Sequence, residues 1–154
     1  MEIERKYLIL DLPDQFENFP KKELTQGYLC TSPVVRIRKE DDQYFLTYKN
    51  GGMMSREEYN LPLDAESFEH LITKADPVII RKTRHLIPLD PYLIELDEFH
   101  DDFEGLLMAE VEFPSEEEAN AFVPPAWFGE EVTFDKRYHN NYMSSHPNWY
   151  KDSL

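Results

Sequence analysis

Apolar and polar residues alternate with a period of two along most of the chain. Glu2 to Leu8, Leu24 to Cys30, Val34 to Lys39, Tyr44 to Lys49, Arg56 to Leu61, Ile79 to Ile87, Tyr92 to Phe99, Leu107 to Phe113 and Val132 to Phe134 read as strands separated by Pro, Gly, Asp and Asn. The pattern predicts an antiparallel, β-rich α+β fold with a few flanking helices. Asp64 is placed to cap a helix carrying Phe68, Leu71 and Ile72 on one face. Ser115 with Glu118 forms a capping box that opens a second helix through Phe122. Shorter helices are expected around Phe16 and from Tyr138 to Ser145. No repeat, low-complexity tract or linker divides the sequence, so residues 1–154 are expected to form one domain.

Residues i and i+2 of a strand share a face, and the charges fall into that register. Glu2, Glu4 and Lys6 share one face, as do Arg36 with Arg38, Arg56 with Glu58, Lys82 with Arg84, Glu95 with Asp97, and Glu110 with Glu112; Lys49 lies beside Thr47. A single such strand would describe an ordinary sheet with one wet face and a core of Ile3, Tyr7, Val35, Ile37, Leu46, Tyr48, Leu96 and Val111. Like charges concentrated along face after face are costly unless opposite charge sits between them, which points to an enclosed charged site. The opposite faces carry Arg5, Lys39, Glu57, Arg81 and Glu98, which lipid would reject, so a transmembrane barrel is excluded. By the same register Arg5 and Lys39 should matter less to turnover than Lys6 and Arg38.

Composition narrows the partners. Thirty-one Asp and Glu against sixteen Lys and Arg give a net charge of -15, which repels nucleic acid and anionic membranes. Neither is expected as a partner. A hydrophobic content of 41% nevertheless supports a folded core. The lone Cys30 forms no internal disulfide and is expected in the core. The chain opens without a basic head and apolar stretch and has no long apolar run, so a cytoplasmic protein is expected.

The carboxylate pairs offer hard oxygen ligands suited to Mg²⁺ or Mn²⁺. His70, His85, His100, His139 and His146 have no metal-ligand spacing, and surface or capping roles are expected for them. Bases converging together with divalent metal suit a short phosphate chain: the facing acids and bases cancel, and two divalent cations offset the roughly four negative charges of a triphosphate. The few glycines form neither a Gly-x-x-x-x-Gly-Lys loop nor a Gly-x-Gly-x-x-Gly turn, so side chains must hold the phosphates. No Gly-x-Ser-x-Gly elbow is present and Cys30 has no activating neighbour in sequence, so attack by a metal-activated water is the economical chemistry.

The opening Glu2-Ile3-Glu4-Arg5-Lys6 resembles the Glu-x-Glu-x-Lys signature of the CYTH superfamily, the triphosphate tunnel metalloenzymes. Gln26-Gly27-Tyr28, Arg36-Ile37-Arg38, Thr47-Tyr48-Lys49, Arg56-Glu57-Glu58, Lys82-Thr83-Arg84, Glu95-Leu96-Asp97, Glu110-Val111-Glu112, Val132-Thr133 and Asp135-Lys136-Arg137-Tyr138 follow in family order, from residue 2 to about residue 143. The resemblance implies an eight-stranded antiparallel closed β-barrel whose charged faces line a tunnel. It implies metal ligation by Glu2, Glu4, Asp97, Glu110 and Glu112, with two ions. It implies phosphate binding by Lys6, Arg36, Arg38, Lys49, Arg56, Lys82, Arg84 and Lys136, with Tyr28 either bonding phosphate or packing. Glu4, Lys6, Arg38 and Glu110 are the expected catalytic residues, and Glu58 and Glu95 are expected to orient bases.

Family members act on small triphosphates: inorganic tripolyphosphatases, thiamine and RNA triphosphatases, and class IV adenylate cyclases. Thiamine triphosphatases carry a tryptophan two residues before the arginine pair, where this chain has Val34. Trp127 and Trp149 are expected to pack rather than to hold a base. The resemblance and the absence of an adenine reader imply hydrolysis of inorganic tripolyphosphate to pyrophosphate and orthophosphate. A nucleotide or thiamine triphosphatase, a cyclase, and a noncatalytic polyphosphate-binding domain are the alternatives.

Overall fold

Alternation sets the strands, and the computed structural model describes all residues 1–154. The strands are β1 (Glu2–Ile9), β2 (Lys21–Thr31), β3 (Val34–Glu40), β4 (Gln43–Gly51), β5 (Ser55–Leu63), β6 (Ile80–Leu89), β7 (Tyr92–Phe99), β8 (Leu107–Glu112) and β9 (Phe128–Glu131). All pairings are antiparallel, in the order β5-β4-β3-β2-β6-β7-β8-β1-β9. A further pairing of β1 with β5, Glu2 opposite Arg56 and Ile3 opposite Ser55, closes eight of them into a barrel. Closure removes the exposed edges that an open sheet would present.

The seam is short, and β1 runs past it. Beyond Ile3 the remaining edge of β1 is covered by β9, with Tyr7 opposite Glu131 and Ile9 opposite Phe128. The chain then continues along the seam: Val132 N–H donates to the Lys6 carbonyl at 2.8 Å, and Thr133 Oγ1 accepts the Lys6 N–H at 2.9 Å. The strand expected at Val132–Phe134 is therefore corrected to Phe128–Glu131. Val132 turns into an apolar cluster, Phe134 is exposed, and Asp135 N–H bonds back to the Val132 carbonyl, ending the extended run.

Four α-helices lie around the barrel: α1 (Ala65–Ile72), α2 (Glu116–Ala121), α3 (Asn140–Met143) and α4 (Trp149–Ser153). Asp64 accepts the Ser67 N–H at 2.7 Å and Ser115 accepts the Glu118 N–H at 3.1 Å, as the capping pattern requires. The Glu118 carboxylate accepts the Tyr92 hydroxyl instead of returning to the cap. The segments expected around Phe16 and from Tyr138 to Ser145 form a short 3₁₀ turn at Phe16–Asn18, and a second at Lys136–Tyr138 followed by α3. No helix is long and apolar enough to cross a membrane.

There are two apolar cores. The first lies outside the barrel, where Ile3, Tyr7, Leu96, Ala109 and Val111 pack beneath Ala119 of α2 and Phe128. Val35, Leu46 and Tyr48, expected in that core, are only half-buried, because the eight-residue α1 covers just part of the outer face of β3 and β4. The second core was not expected. Val34, Tyr28, Ile80, Phe99 and Met108 share the phase of the inward charges and meet Val132 and Met143 at one end of the barrel interior. Trp127 packs on Phe128 and Trp149 on Tyr138, as packing residues.

Cys30 is exposed, a correction with a local cause. A bulge between Tyr28 and Cys30 shifts the register, so Cys30 lies opposite Val35 on the outer face instead of following Gln26 and Tyr28 inward. Gly27 sits where the chain before β6 crosses β2; a Cβ there would lie 2.8 Å from Ala75 Cβ, so only glycine permits that approach.

Arg5 points outward, yet it holds the seam. Its guanidinium bonds both carboxylate oxygens of Glu131 at 2.7 and 2.8 Å and donates to the carbonyls of Ala119 and Phe122. Lys39 contacts only the face of Tyr44. Arg5→Ala is therefore expected to lower the unfolding free energy by about 2 kcal/mol in urea denaturation, and Lys39→Ala by less than ~0.5 kcal/mol.

Candidate active site

Strand register stacks the inward charges into rungs. Across β1 and β8, Glu4 faces Glu112 and Lys6 faces Glu110. Glu110 faces Glu95 on β7, and Arg84 on β6 faces Asp97. On the other side Tyr28 faces Arg36 and Gln26 faces Arg38, while Arg36 in turn faces Thr47. Lys49 faces Glu58, and Glu2 faces Arg56 where the barrel closes. They enclose a cavity of about 290 Å³ lined by 22 residues, of which three are hydrophobic.

The structure brings every expected tunnel residue to this cavity except two. Asp97 lies behind the wall, fully buried, where it accepts Arg84 Nε and Nη2 at 2.8 and 2.9 Å and pairs with Lys82 Nζ at 2.8 Å. Its carboxylate is already occupied in aiming those bases. Lys136 is exposed on the turn after β9 and does not line the cavity.

The acids are grouped on β1 and β8 with Glu95 and Glu58 beside them, and crowding sets their protonation. Burial and a hydrogen bond with Glu58 push Glu2 up to about 7, against the pull of Lys49. Burial also acts on Glu58, but the hydrogen bond from Glu2, the Lys49 charge and a bond from Asn60 outweigh it and hold Glu58 at about 2. A second pair repeats the arrangement. Burial and the charges of Glu110 and Glu2 hold Glu4 well above the carboxylate range, while Lys6, Arg84 and Lys82 overcome burial at Glu110 and hold it well below. In each pair the two carboxyls are driven apart in acidity, one raised and one lowered, the usual result of placing two carboxylates together in low dielectric.

Most bases are neutralised. Lys49 bonds Glu2 at 2.9 Å and lies 3.4 Å from Glu58; Lys6 lies 3.3 Å from Glu110; Arg84 lies 3.0 Å from Glu95. Burial, with Arg84 and Arg38 close by, brings Lys82 down to about 7 despite Asp97. Burial, with Arg36 and Arg84, likewise lowers Arg38 to about 9. Arg36 and Arg56 have no carboxylate partner. Arg36 is buried, its Nη2 reaches Thr47 Oγ1 at 3.3 Å, and its Nε has no hydrogen-bond partner. A buried cation left in that condition is a built-in demand for an anion.

Sequence reasoning missed a set of neutral polar residues. Asn140 Oδ1 accepts both Lys82 Nζ at 2.8 Å and Gln26 Nε2 at 2.9 Å, while Gln26 Oε1 accepts Arg38 Nε at 2.8 Å. Asn140 opens α3, far along the chain from the strands it serves. His139, expected at the surface or as a cap, is buried against the cavity; its ring nitrogen donates to the Thr133 carbonyl, and burial with the Lys6 charge lowers it to about 4. Nothing in local spacing marks these residues. For Gln26, its place one residue before Gly27 and two before Tyr28 was the available signal.

No three acidic, imidazole or thiol side chains converge closely enough to ligate one ion as they stand. The donor chemistry nonetheless fits a divalent cation. Glu2, Glu4, Glu110 and Glu112 present hard oxygens to one cavity, and the crowding that raises Glu2 and Glu4 shows that the group lacks positive charge.

Comparison with known proteins agrees in extent. The CYTH domain matches residues 1–141. An inorganic triphosphatase of Nitrosomonas europaea is 44% identical over 148 residues, covering 93% of this chain and 96% of the relative. An inorganic triphosphatase of Acetivibrio thermocellus is 34% identical over 152 residues, covering 95% and 94%. The crystal structure of the inorganic triphosphatase NE1496 superposes with a TM-score of 0.71 at 40% identity, over 94% of this chain and 95% of that one. The PH1012 protein of Pyrococcus horikoshii shares the fold, with a TM-score of 0.61 at 19% identity over 79% and 84% of the two chains.

Two outcomes follow from these charges. Arg36→Met should raise Tm in thermal unfolding, because it removes a buried cation without a counterion, while weakening anion binding measured by calorimetry. Glu2 titrates near 7 in the fold against an ordinary 4.5, so its contribution to stability is present below about pH 4.5 and lost as pH rises through about 7. A divalent cation bound at Glu2 would compete with that proton, so the Tm gain from saturating Mg²⁺ or Mn²⁺ should be larger near pH ~8 than near pH ~5.

Proposed function

The chain belongs to the CYTH family, and from that premise we propose that it is an inorganic triphosphatase, hydrolysing tripolyphosphate to pyrophosphate and orthophosphate. One observation carries the reading: a cavity inside the closed barrel, with three hydrophobic residues among 22 in its wall, sets arginines without carboxylate partners among crowded carboxylates. Residues 1–154 act as one tunnel domain.

Arg36 and Arg56, without carboxylate partners, anchor the phosphate chain, and Arg38, Lys6, Lys49, Lys82 and Arg84 surround it. Guanidinium groups bond phosphate oxygens in pairs, and ammonium groups adjust to the rest. The bases are aimed before substrate arrives: Asp97 and Asn140 fix Lys82, Gln26 fixes Arg38, and Glu58 and Glu95 hold Lys49 and Arg84. That preorganisation lets them meet charge on the nonbridging and leaving oxygens without rearrangement. Water attacks the terminal phosphorus in line; the new P–O bond forms as the bridging P–O bond to the pyrophosphate unit breaks. Mg²⁺ or Mn²⁺, two ions in this reading, would be held by Glu2, Glu4, Glu110 and Glu112 and would supply Lewis-acid polarisation and a lowered water pKa. Asp97 belongs to the support of the bases rather than to this set.

The cavity wall has three hydrophobic residues, Tyr28, Val34 and Phe45, and offers a nucleobase or thiazole little beyond charge. In steady-state phosphate release, kcat/KM for tripolyphosphate should exceed that for ATP, GTP and thiamine triphosphate by about tenfold, the work of one well-placed contact. Excess chelator should abolish turnover, and Glu4→Gln or Glu112→Gln should reduce kcat by orders of magnitude with circular dichroism unchanged. Full turnover in chelator, or faster hydrolysis of ATP, would overturn the reading.

A further inference from the structure

Lys6 is the one cation of β1 in the cavity wall, and it is anchored differently from the other bases. Lys82, Arg38, Lys49 and Arg84 are each aimed by a side chain. Lys6 Nζ has Glu110 at 3.3 Å, but in the triphosphatase reading Glu110 is given over to a divalent cation. The partner that remains is main chain: Lys6 Nζ donates to the Tyr138 carbonyl at 3.2 Å.

That carbonyl is only as fixed as the turn that carries it. Residues 133–139 leave the seam, bend through the 3₁₀ turn at Lys136–Tyr138 and return, and His139 Nε2 closes the bend on the Thr133 carbonyl at 2.8 Å. A carbonyl only accepts, so the imidazole proton is on Nε2. Burial and the Lys6 charge lower His139 to about 4, so the ring is neutral and its one N–H is spent on Thr133. The same turn reaches the other end of Lys6, where Thr133 Oγ1 accepts the Lys6 N–H at 2.9 Å. The single Thr133 hydroxyl proton goes to Glu131 Oε2 at 2.7 Å; Glu131, held below the usual carboxylate range by its hydrogen bonds with Arg5, can only accept. The hydroxyl is therefore turned with a lone pair toward Lys6, and one buried turn grips this residue at its backbone and at its ammonium.

We propose that Thr133 and His139 are positioning residues for Lys6: the turn they close fixes the place of its backbone and the direction of its ammonium, and keeps both when Glu110 is engaged elsewhere. The inference rests on the triphosphatase reading and adds to it the residues that aim one base. His139 lines the cavity, yet it acts through Lys6, because its donor is already bonded within the turn.

The test is a double-mutant cycle on the full chain. Tripolyphosphate hydrolysis is measured for Thr133→Val, Thr133→Ser and His139→Leu, each in the wild-type background and in Lys6→Ala. Thr133→Val and His139→Leu should each lower kcat by about tenfold with KM changed by less than about threefold, because a misaimed base loses transition-state contacts first. Thr133→Ser keeps the hydroxyl and should keep the wild-type kcat. In Lys6→Ala the same substitutions should cost nothing further, since no ammonium is left to aim. Equal falls in both backgrounds mark lost structure instead of lost aim and overturn the proposal, as does full kcat in both Thr133→Val and His139→Leu. Where Thr133→Val does not fold, the His139→Leu cycle decides alone. The nitrogen NMR signal of the Lys6 ammonium, read without metal or substrate, should shift in Thr133→Val and His139→Leu and stay in place in Thr133→Ser. If wild type does not hydrolyse tripolyphosphate, the triphosphatase reading fails and this signal decides the positioning by itself: a shift in His139→Leu supports it, and an unmoved signal overturns it.

Discussion

Charge enclosed in a closed barrel has to be balanced within the barrel, and the rest of this structure answers to that constraint. Water cannot solvate the inner wall freely, so each inward charge must meet a partner, keep or lose a proton, or wait for a ligand. All three solutions occur. Lys49, Lys82 and Arg84 meet the carboxylates of Glu58, Asp97 and Glu95. At Glu2 and Glu4 burial and neighbouring carboxylates favour the protonated form. Arg36 waits, buried and incompletely bonded. The last group is where stability is given up, because a buried cation stands there without a counterion.

Balance of this kind depends on closure, and closure depends on segments distant in sequence. β1 and β5 share only two paired residues, so most of the seam is made by β9 and the residues that follow it. Arg5 fastens that segment from outside through Glu131, and Thr133 completes the Lys6 backbone from inside. The chain then enters the barrel end, where Val132 and Met143 join the apolar core and Asn140 reaches Lys82 and Gln26. One stretch thus seals the barrel, floors part of its interior and aims a base. Because these three roles share a backbone, changes at the seam should be felt at the cavity.

The separation of acids from bases gives the cavity its direction. Carboxylates on β1 and β8 gather negative charge, and Arg36 and Arg38 on β3 with Lys82 and Arg84 on β6 gather positive charge. A phosphate chain with bound divalent cations is complementary to both at once, which a bare anion is not. Neutral amides at Gln26 and Asn140 keep adjacent bases apart in orientation without adding charge to the balance.

Period-two alternation was enough to assign the strands and the inward face, since side chains of a strand must alternate. Hence Glu2, Glu4, Lys6, Arg36, Arg38, Lys82, Arg84, Glu110 and Glu112 were legible as one set before any coordinates. Alternation carries no information about position along the barrel axis or about what packs at each end. Asp97 has the correct phase but lies behind Lys82 and Arg84, and Val34, Ile80, Phe99 and Met108 have the same phase but form an apolar floor. A one-residue bulge reversed the facing of Cys30, and a seam that is satisfied by Val132 and Thr133 moved the last strand upstream. His139 and Asn140 reach the cavity only because a distant segment enters the barrel end. The sequence by itself determined which faces carry charge because that follows from local geometry; tertiary structure decided which charges meet, because closure and the packing of remote segments set the distances.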